Sequence, residues 1–380
     1  MLPYATSHFP GVGGQLKVEP ADFRVRELPL YPTTGAGDFL FLRIEKTGLA
    51  AEQLTQHLAR TLQIPRSEIG VAGLKDRHAI TEQTISVPAR CEPLLPQIDT
   101  PAVRLLGVER HRHKLRTGHL AGNQFDILLL TETENALPRA TAIADVLLRT
   151  GFPNYYGDQR FGQEQETLHL GFDLLTGRRT PRDIHPARRK FLLRLALSAA
   201  QSELFNQVLS TRIDAGTWRT VLPGDVMQVV ASGGLFVAED IPREQMRLDQ
   251  GEIVTTGPMF GPKMFQPTGP AAVSENQLAR TAIERVVPSP PAEWAAQTPC
   301  DWFRPFAKLA PGTRRPLAVA VPDLALAADP AGLRFQFTLP SGCYATTLLR
   351  EFQKPDSNDS QNIPALDDEP VSESDDDESP

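Results

Sequence analysis

Residues 72–83 read AGLKDRHAITEQ, and within them one carboxylate, Asp76, stands among Lys75, Arg77 and His78. Apolar segments that read as strands flank the stretch on both sides. Neighbouring positive charge favours the ionised form of a carboxyl group. An ionised aspartate at a cationic mouth suits attack on, or proton removal from, a polyanionic substrate. Taken alone, the same residues also describe an aspartate closing a turn after Gly73, which is the commoner role for this side chain.

Moving outward from Asp76, residues 80–87 return to an extended pattern. Residues 38–45 (DFLFLRIE) alternate apolar and polar side chains and predict a strand. A helix is expected over 50–63, where Leu54, Leu58 and Leu62 fall on one face and Pro65 stops it. Residues 124–130 (QFDILLL) predict another strand. Residues 136–150 predict a helix with Ile143, Val146 and Leu147 on one side and Gly151 as its cap. The strongest helical pattern covers 190–212, with Leu193, Leu197, Leu204, Val208 and Leu209 on one buried face. Residues 224–236 read as short strands with turns. Residues 257–269 (GPMFGPKMFQPTG) are dense in Gly and Pro and predict a loop. Breaks follow at 288–291 and at Pro311-Gly312, then strands over 317–321 and 333–339. No internal repeat is evident.

A chain of 380 residues suggests two domains. Cys91, Cys300 and Cys343 are far apart, which argues against a disulfide framework or a zinc site and fits a reducing cytoplasm. No basic-then-apolar leader opens the sequence and no apolar run is long enough for a bilayer, so a cytoplasmic protein without membrane partners is expected. The formal net charge is -7, but residues 356–380 hold ten acidic residues and no Lys or Arg. The remaining body carries 39 basic against 36 acidic residues, about +3. Its cations are clustered: Arg104, Arg110, His111, Arg112, His113, Lys114, Arg116 and His119 in one stretch, and Arg178, Arg179, Arg182, Arg188, Arg189, Lys190 and Arg194 in another. Such clusters describe either a solvated face or phosphate contacts. The acidic tail has too few apolar side chains to offset its ordering entropy, so it is expected to be disordered, as a solubility tail or a competitor of RNA for the basic face.

The stretch around Asp76 resembles the signature of the TruD family of pseudouridine synthases. Three further stretches resemble that family in the same order: NYYGDQRFG at 154–162, LSAAQSELFN at 197–206 and FTLPSGCYATTLLRE at 337–351. Together they span most of the chain, from about Lys17 to Glu351. The resemblance implies an α+β fold: a catalytic domain on a mixed, mainly antiparallel sheet, interrupted by an α/β insertion domain. On this chain the catalytic parts would be 1–150 and 313–355, the insertion 151–312, and the tail 356–380.

The resemblance also implies the chemistry. A uridine of tRNA, at position 13 in the family's usual substrate, becomes pseudouridine after base flipping. Asp76 matches the essential aspartate, as nucleophile at C1′ or base at C2′. Lys17 and Phe23 (in KVEPADFRVRE, 17–27), Asn123 and Phe125 (in GNQF, 122–125) and Phe337 match substrate-binding positions. Read without the family, the three phenylalanines are core residues, Lys17 a surface charge and Asn123 a turn residue. Lys75, Arg77, His78, Arg110, Arg112, Lys114, Arg116, Arg188, Arg189 and Lys190 are assigned to RNA contact. Asp76 is expected to have a paired cation, from Lys75, Arg77, Lys17 or another group. The isomerisation has no redox step or group donor, and no Gly-rich nucleotide loop or metal-spaced His or Cys is present. No cofactor and no metal are therefore expected, with tRNA as partner and a monomeric enzyme. Two other readings stand beside this one. A non-catalytic RNA-binding protein, such as an RNA chaperone, would not need Asp76. A glycosidase would place two carboxylates at the cleaved bond, with Glu82 the nearby second.

Overall fold

The alternation over 38–45 and the four-residue leucine spacing that follows it build a strand and a helix packed face to face. In the computed structural model, which describes residues 2–73, 75–287 and 289–354, the strand is Phe39–Thr47 and the helix Ala51–Thr61. Leu54, Leu58 and Leu62 are at most 2% exposed against Leu40, Leu42 and Ile44. Each such leucine contributes about 1.5–3 kcal/mol by leaving water. The stretch 356–380, expected to be disordered, lies outside the described residues.

In chain order the strands are β1 (Phe23–Pro29), β2 (Phe39–Thr47), β3 (Gly70–Val71), β4 (Ile80–Pro88), β5 (Val103–His111), β6 (Leu120–Leu130), β7 (Phe152–Pro153), β8 (Val226–Val229), β9 (Leu235–Val237), β10 (Ile253–Met259), β11 (Thr313–Pro316), β12 (Ala318–Val319), β13 (Ala325–Asp329) and β14 (Gly332–Pro340). The helices are α1 (Ala51–Thr61), α2 (Ala136–Thr150), α3 (Glu166–Leu175), α4 (Pro186–Asp214), α5 (Ile241–Asp249), α6 (Gly269–Val286), α7 (Pro299–Trp302) and α8 (Ala345–Gln353). They fall into two compact units. One holds residues 9–148, 321–345 and 352–354; the other holds 2–8, 149–320 and 346–351.

The first unit is built on a mixed sheet in the order β13-β14-β6-β1-β4-β2-β5, with β3 also on β4. All pairings are antiparallel except β1 with β4. Cross-strand partners share a face of a pleated sheet. The register sets Phe337, Phe125, Val25, Thr81 and Lys46 in one row. That row lies on the same face as the leucines under α1. The alternate residues form the other face. There Arg26 and Arg43 both bridge Glu82, at 3.6 and 3.4 Å. An open groove of about 310 Å³ crosses it between Arg24, Arg26, Gln124, Asp126 and Gln336.

The second unit is organised by α4, whose residues Leu197, Leu204, Phe205 and Leu209 are fully buried. The helix starts at Pro186 rather than at 190, because Pro occupies its first turn and the His185 ring accepts the Ala187 N–H at 3.4 Å. Two of the motifs quoted above meet here. The Asn206 amide accepts from Tyr156 N–H at 3.0 Å and donates to Tyr156 C=O at 2.9 Å. Arg160 donates to Ser202 Oγ at 3.4 Å and to Ser198. The guanidinium of Arg315 lies 4.1 Å from the centre of the Tyr156 ring. These motif residues clamp 154–161 onto α4.

Two expectations are corrected in this unit. Residues 257–259, read as loop, belong to β10, which pairs with β8 and β11 in the sheet β11-β10-β8-β9. Gly257 is there for space: a Cβ would meet Leu317 Cδ2 at 2.8 Å and Phe205 Cε2 at 2.9 Å. Pro258 lies past Thr255, the last β10 residue paired with β8, so it costs no rung on that side. The junction placed after Gly312 falls inside the unit. β11 pairs with β10 and β12 with β7, so the chain leaves this unit only after Ala320. The Pro-Gly break leads into β11 and does not end the pairing.

Candidate active site

Asp76 sits on the loop between β3 and β4, half-buried, with Arg77 and His78 exposed beside it. Its partner is Lys17, whose Nζ donates to Asp76 Oδ2 at 2.5 Å. The Lys17 side chain is 6% exposed and that of Asp76 24%. Lys17 adopts φ 59°, a left-handed conformation that costs a non-glycine residue about 1–3 kcal/mol and persists only where surrounding contacts enforce it. The same ammonium lies 4.2 Å from the centre of the Phe23 ring. A cation held over an aromatic face out of water gains about 2 kcal/mol. Phe23 meets Phe125 edge-on at 6.2 Å, and Phe125 stacks on Phe337 at 5.2 Å. The carboxylate, the ammonium and three rings thus form one continuous line. The rings are 2, 7 and 1% exposed, so they make a closed wall.

Asn123, on β6, opposes Glu27 of β1 and Leu339 of β14. Its Oδ1 is buried and takes no hydrogen bond from the described residues, and neither does Thr81 Oγ1 in the row of Lys46. Buried polar atoms without a partner are uncommon in folded proteins, so each one calls for a reason such as a bound water, an ion or a catalytic role.

Lys75, assigned to RNA contact from the sequence, is buried instead. Its side chain is 5% exposed and pairs with Glu27, itself 2% exposed, at 2.8 Å. The backbone there turns Lys75 inward and Arg77 outward, which a one-dimensional charge cluster does not reveal. The two are therefore expected to respond differently to substitution. Lys75→Ala strands the Glu27 carboxylate and should destabilise the fold by about 3–5 kcal/mol, read by thermal denaturation. Arg77→Ala, at an exposed position, should cost much less stability than Lys75→Ala and lower the salt slope of RNA binding by about one. Equal melting temperatures for the two variants would refute the distinction.

Lys46 was missed. It is fully buried and donates to the carbonyls of Leu49 and Asp76, each at 2.6 Å, and of Lys75 at 3.4 Å. Burial lowers its pKa to about 8, with Asp76 opposing and Lys75 reinforcing the shift. The available signal was its phase. Lys46 follows Leu40, Leu42 and Ile44 at two-residue spacing, on the inward side of the strand.

The remaining assigned cations are divided. Arg112 and Arg116 are exposed on the loop between β5 and β6, which joins the Asp76 loop through Gly118 N–H to Ala72 C=O at 2.8 Å. Lys114 is held by Ser67 C=O at 2.5 Å, and Arg110 is paired with Glu92. Burial, with His113 and Arg112 nearby, keeps the His111 imidazole below its usual range and so neutral at pH 7. In the second unit Arg188 and Lys190 are exposed, while Arg189 is half-buried and donates to Ile184 C=O at 3.2 Å. Glu82 lies on the sheet face away from Lys46 and Thr81, engaged by two arginines. A glycosidase-like carboxylate pair with Asp76 is not formed. Among the described residues, no three His, Cys, Asp or Glu are grouped to hold a metal ion, and no helix is long and apolar enough to cross a membrane.

Known proteins resemble this chain over most of its length. The family model for tRNA pseudouridine synthase D (TruD) matches residues 1–181 and 178–352. A tRNA pseudouridine synthase D of Anaeromyxobacter dehalogenans is 40% identical over 356 residues, covering 94% of this chain and 97% of its own length. One from Thermus thermophilus is 38% identical over 362 residues, covering 94% and 93%. A crystal structure of a TruD from Methanosarcina mazei superposes with a TM-score of 0.71 over 93% of this chain and 96% of that one; at 23% identity it speaks for the fold. The ordered motifs, the mixed sheet and these full-length relatives agree, and the chain belongs to the TruD family of tRNA pseudouridine synthases.

Proposed function

We propose that this chain isomerises uridine to pseudouridine in tRNA, at position 13 of the D-arm region, with Asp76 as the reacting carboxylate. The observation that carries the reading is the ion pair of Asp76 with Lys17 against Phe23, Phe125 and Phe337. The N1–C1′ bond breaks, the uracil turns, C5 bonds to C1′, and C5 gives up its proton while N1 takes one up. Two routes start from the same ionised aspartate: attack on C1′, or removal of the C2′ proton to give a glycal. In both, Lys17 supplies the counter-charge and the aromatic wall retains the detached base. Asn123 Oδ1 accepts the N3–H of uracil, a donor that matches its open acceptor. Arg77, His78, Arg112 and Arg116 contact phosphates and draw the RNA toward the loop. The unit that holds Asp76 is the catalytic domain; the unit of residues 149–320 adds tRNA contacts through Arg188 and Lys190. The enzyme works as a monomer in the cytoplasm and needs no cofactor.

The test is incubation of the purified chain with an unmodified tRNA transcript, followed by mapping of pseudouridine at nucleotide resolution. One new pseudouridine at position 13 is expected. Stoichiometric RNA binding without any isomerisation would favour a chaperone and sink the proposal.

A further inference from the structure

We propose that Lys46 is a positioning residue for Asp76: its ammonium fixes the two peptide planes on either side of Asp76 and thereby aims the reacting carboxylate. This rests on the reading of Asp76 as the catalytic group.

The geometry is specific. The Lys75 carbonyl belongs to the peptide that enters Asp76, and the Asp76 carbonyl to the peptide that leaves it. Peptide units are planar, so holding both leaves little freedom in the φ and ψ of Asp76. The third bond, to Leu49 C=O, anchors the ammonium to the turn between β2 and α1. An ammonium has three donors, and here it meets three carbonyls. Stability alone does not account for the residue. It occupies a core phase behind Leu40, Leu42 and Ile44, where an apolar side chain avoids the cost of burying a charge. Lys17 then holds the carboxylate itself at 2.5 Å, so backbone and side chain of Asp76 are fixed by different lysines.

The charged groups acting on Lys46 are Asp76, which stabilises its positive form, and Lys75, which opposes it. Lys75 is in turn paired with Glu27, and Asp76 with Lys17. The flanking strands present Thr81 and Val103. As pH rises through about 8 the amine becomes neutral and two N–H groups remain for three carbonyls. Turnover should fall there. The stability effect has the opposite sign. Burial lowers the Lys46 pKa to about 8 in the folded chain, from the ordinary lysine value of 10.5 that applies when it is unfolded. Between those values the unfolded chain binds more protons, so the contribution of this group to stability rises with pH. A loss of rate above pH 8 without loss of stability separates aim from folding.

The experiment is a pH profile of kcat and KM for the wild type, Lys46→Met and Lys46→Arg, with tRNA affinity measured alongside. Lys46→Met is expected to lower kcat about 100-fold at pH 7, the cost of misplacing a reacting group by about 1 Å, with KM and affinity within about twofold. Its profile should lack the wild-type fall near pH 8. Lys46→Arg keeps its charge throughout, so it should recover part of kcat and also lack that fall. A fully active Lys46→Met, or an alkaline limb unchanged in both variants, overturns the proposal. If Lys46→Met does not fold, the limb of Lys46→Arg decides. Asp76→Asn in the same assay separates the two levels. An active Asp76→Asn removes the reading of the site, whereas an inactive one beside a fully active Lys46→Met removes only the role of Lys46.

Discussion

Asp76→Asn should reduce turnover by about 10⁴-fold or more, the upper range for losing one acid–base group, since the same group is asked to serve at the sugar. The amide is nearly isosteric but cannot attack C1′ or take the C2′ proton at a useful rate. It also leaves Lys17 without its counter-charge at 2.5 Å, so a small loss of stability should accompany the loss of rate. Binding is expected to persist, because Arg77, His78, Arg112 and Arg116 are untouched. Single-turnover assays with saturating enzyme, paired with filter binding, check both halves. Substantial isomerisation by the variant would refute the assignment. Lost binding with intact chemistry on bound RNA would move Asp76 from reaction to recognition.

Glu275→Gln should cost about 3–5 kcal/mol in the second unit, because it strands a buried charge. Arg314 is fully buried and its guanidinium grips both Glu275 oxygens, at 2.7 and 2.8 Å. It also donates to Thr256 Oγ1 at 3.0 Å and to Thr256 C=O at 2.7 Å. Burial raises the Glu275 pKa, and the Arg314 guanidinium opposes that shift. Removing the negative member leaves the positive one with no way back to water. For a unit of this size the melting temperature should fall by roughly 10 °C. Replacing both, as Glu275→Leu with Arg314→Met, should restore much of the loss, since a well-packed apolar pair avoids the desolvation of two ions. A single variant that melts within a degree or two of the wild type would show that the pair carries no such load.

Local pattern was enough for elements whose side chains repeat with the element's own period. The helix expected over 136–150 is observed as Ala136–Thr150, and the strand over 80–87 as Ile80–Pro88. Hydrophobic phase decides such segments, and phase is a property of neighbouring residues. Where a distant partner decided, local pattern misled. Pro258 looked like a breaker, yet β11 continues the sheet beside it. Gly312 looked like a boundary, yet Thr313–Pro316 still belongs to the pairing of β10.

The candidate site divides in the same way. Asp76 and its cationic surroundings were visible in twelve consecutive residues, because the proposed reacting group and its loop are local. The amino-acid order also supplied the motifs that place the chain in its family. Which cation meets Asp76 was not local: Lys17 is distant in sequence and reaches it because β1 and β4 are parallel neighbours. Lys75 changed roles on folding and Lys46 acquired one, since the side of the backbone a lysine leaves from is set by strand register and not by its neighbours' charge. Chain order established the chemistry this protein carries. Only the fold decided which lysine balances the carboxylate, which one is buried against Glu27 and which one holds the loop, because electrostatic partnership depends on distance in space.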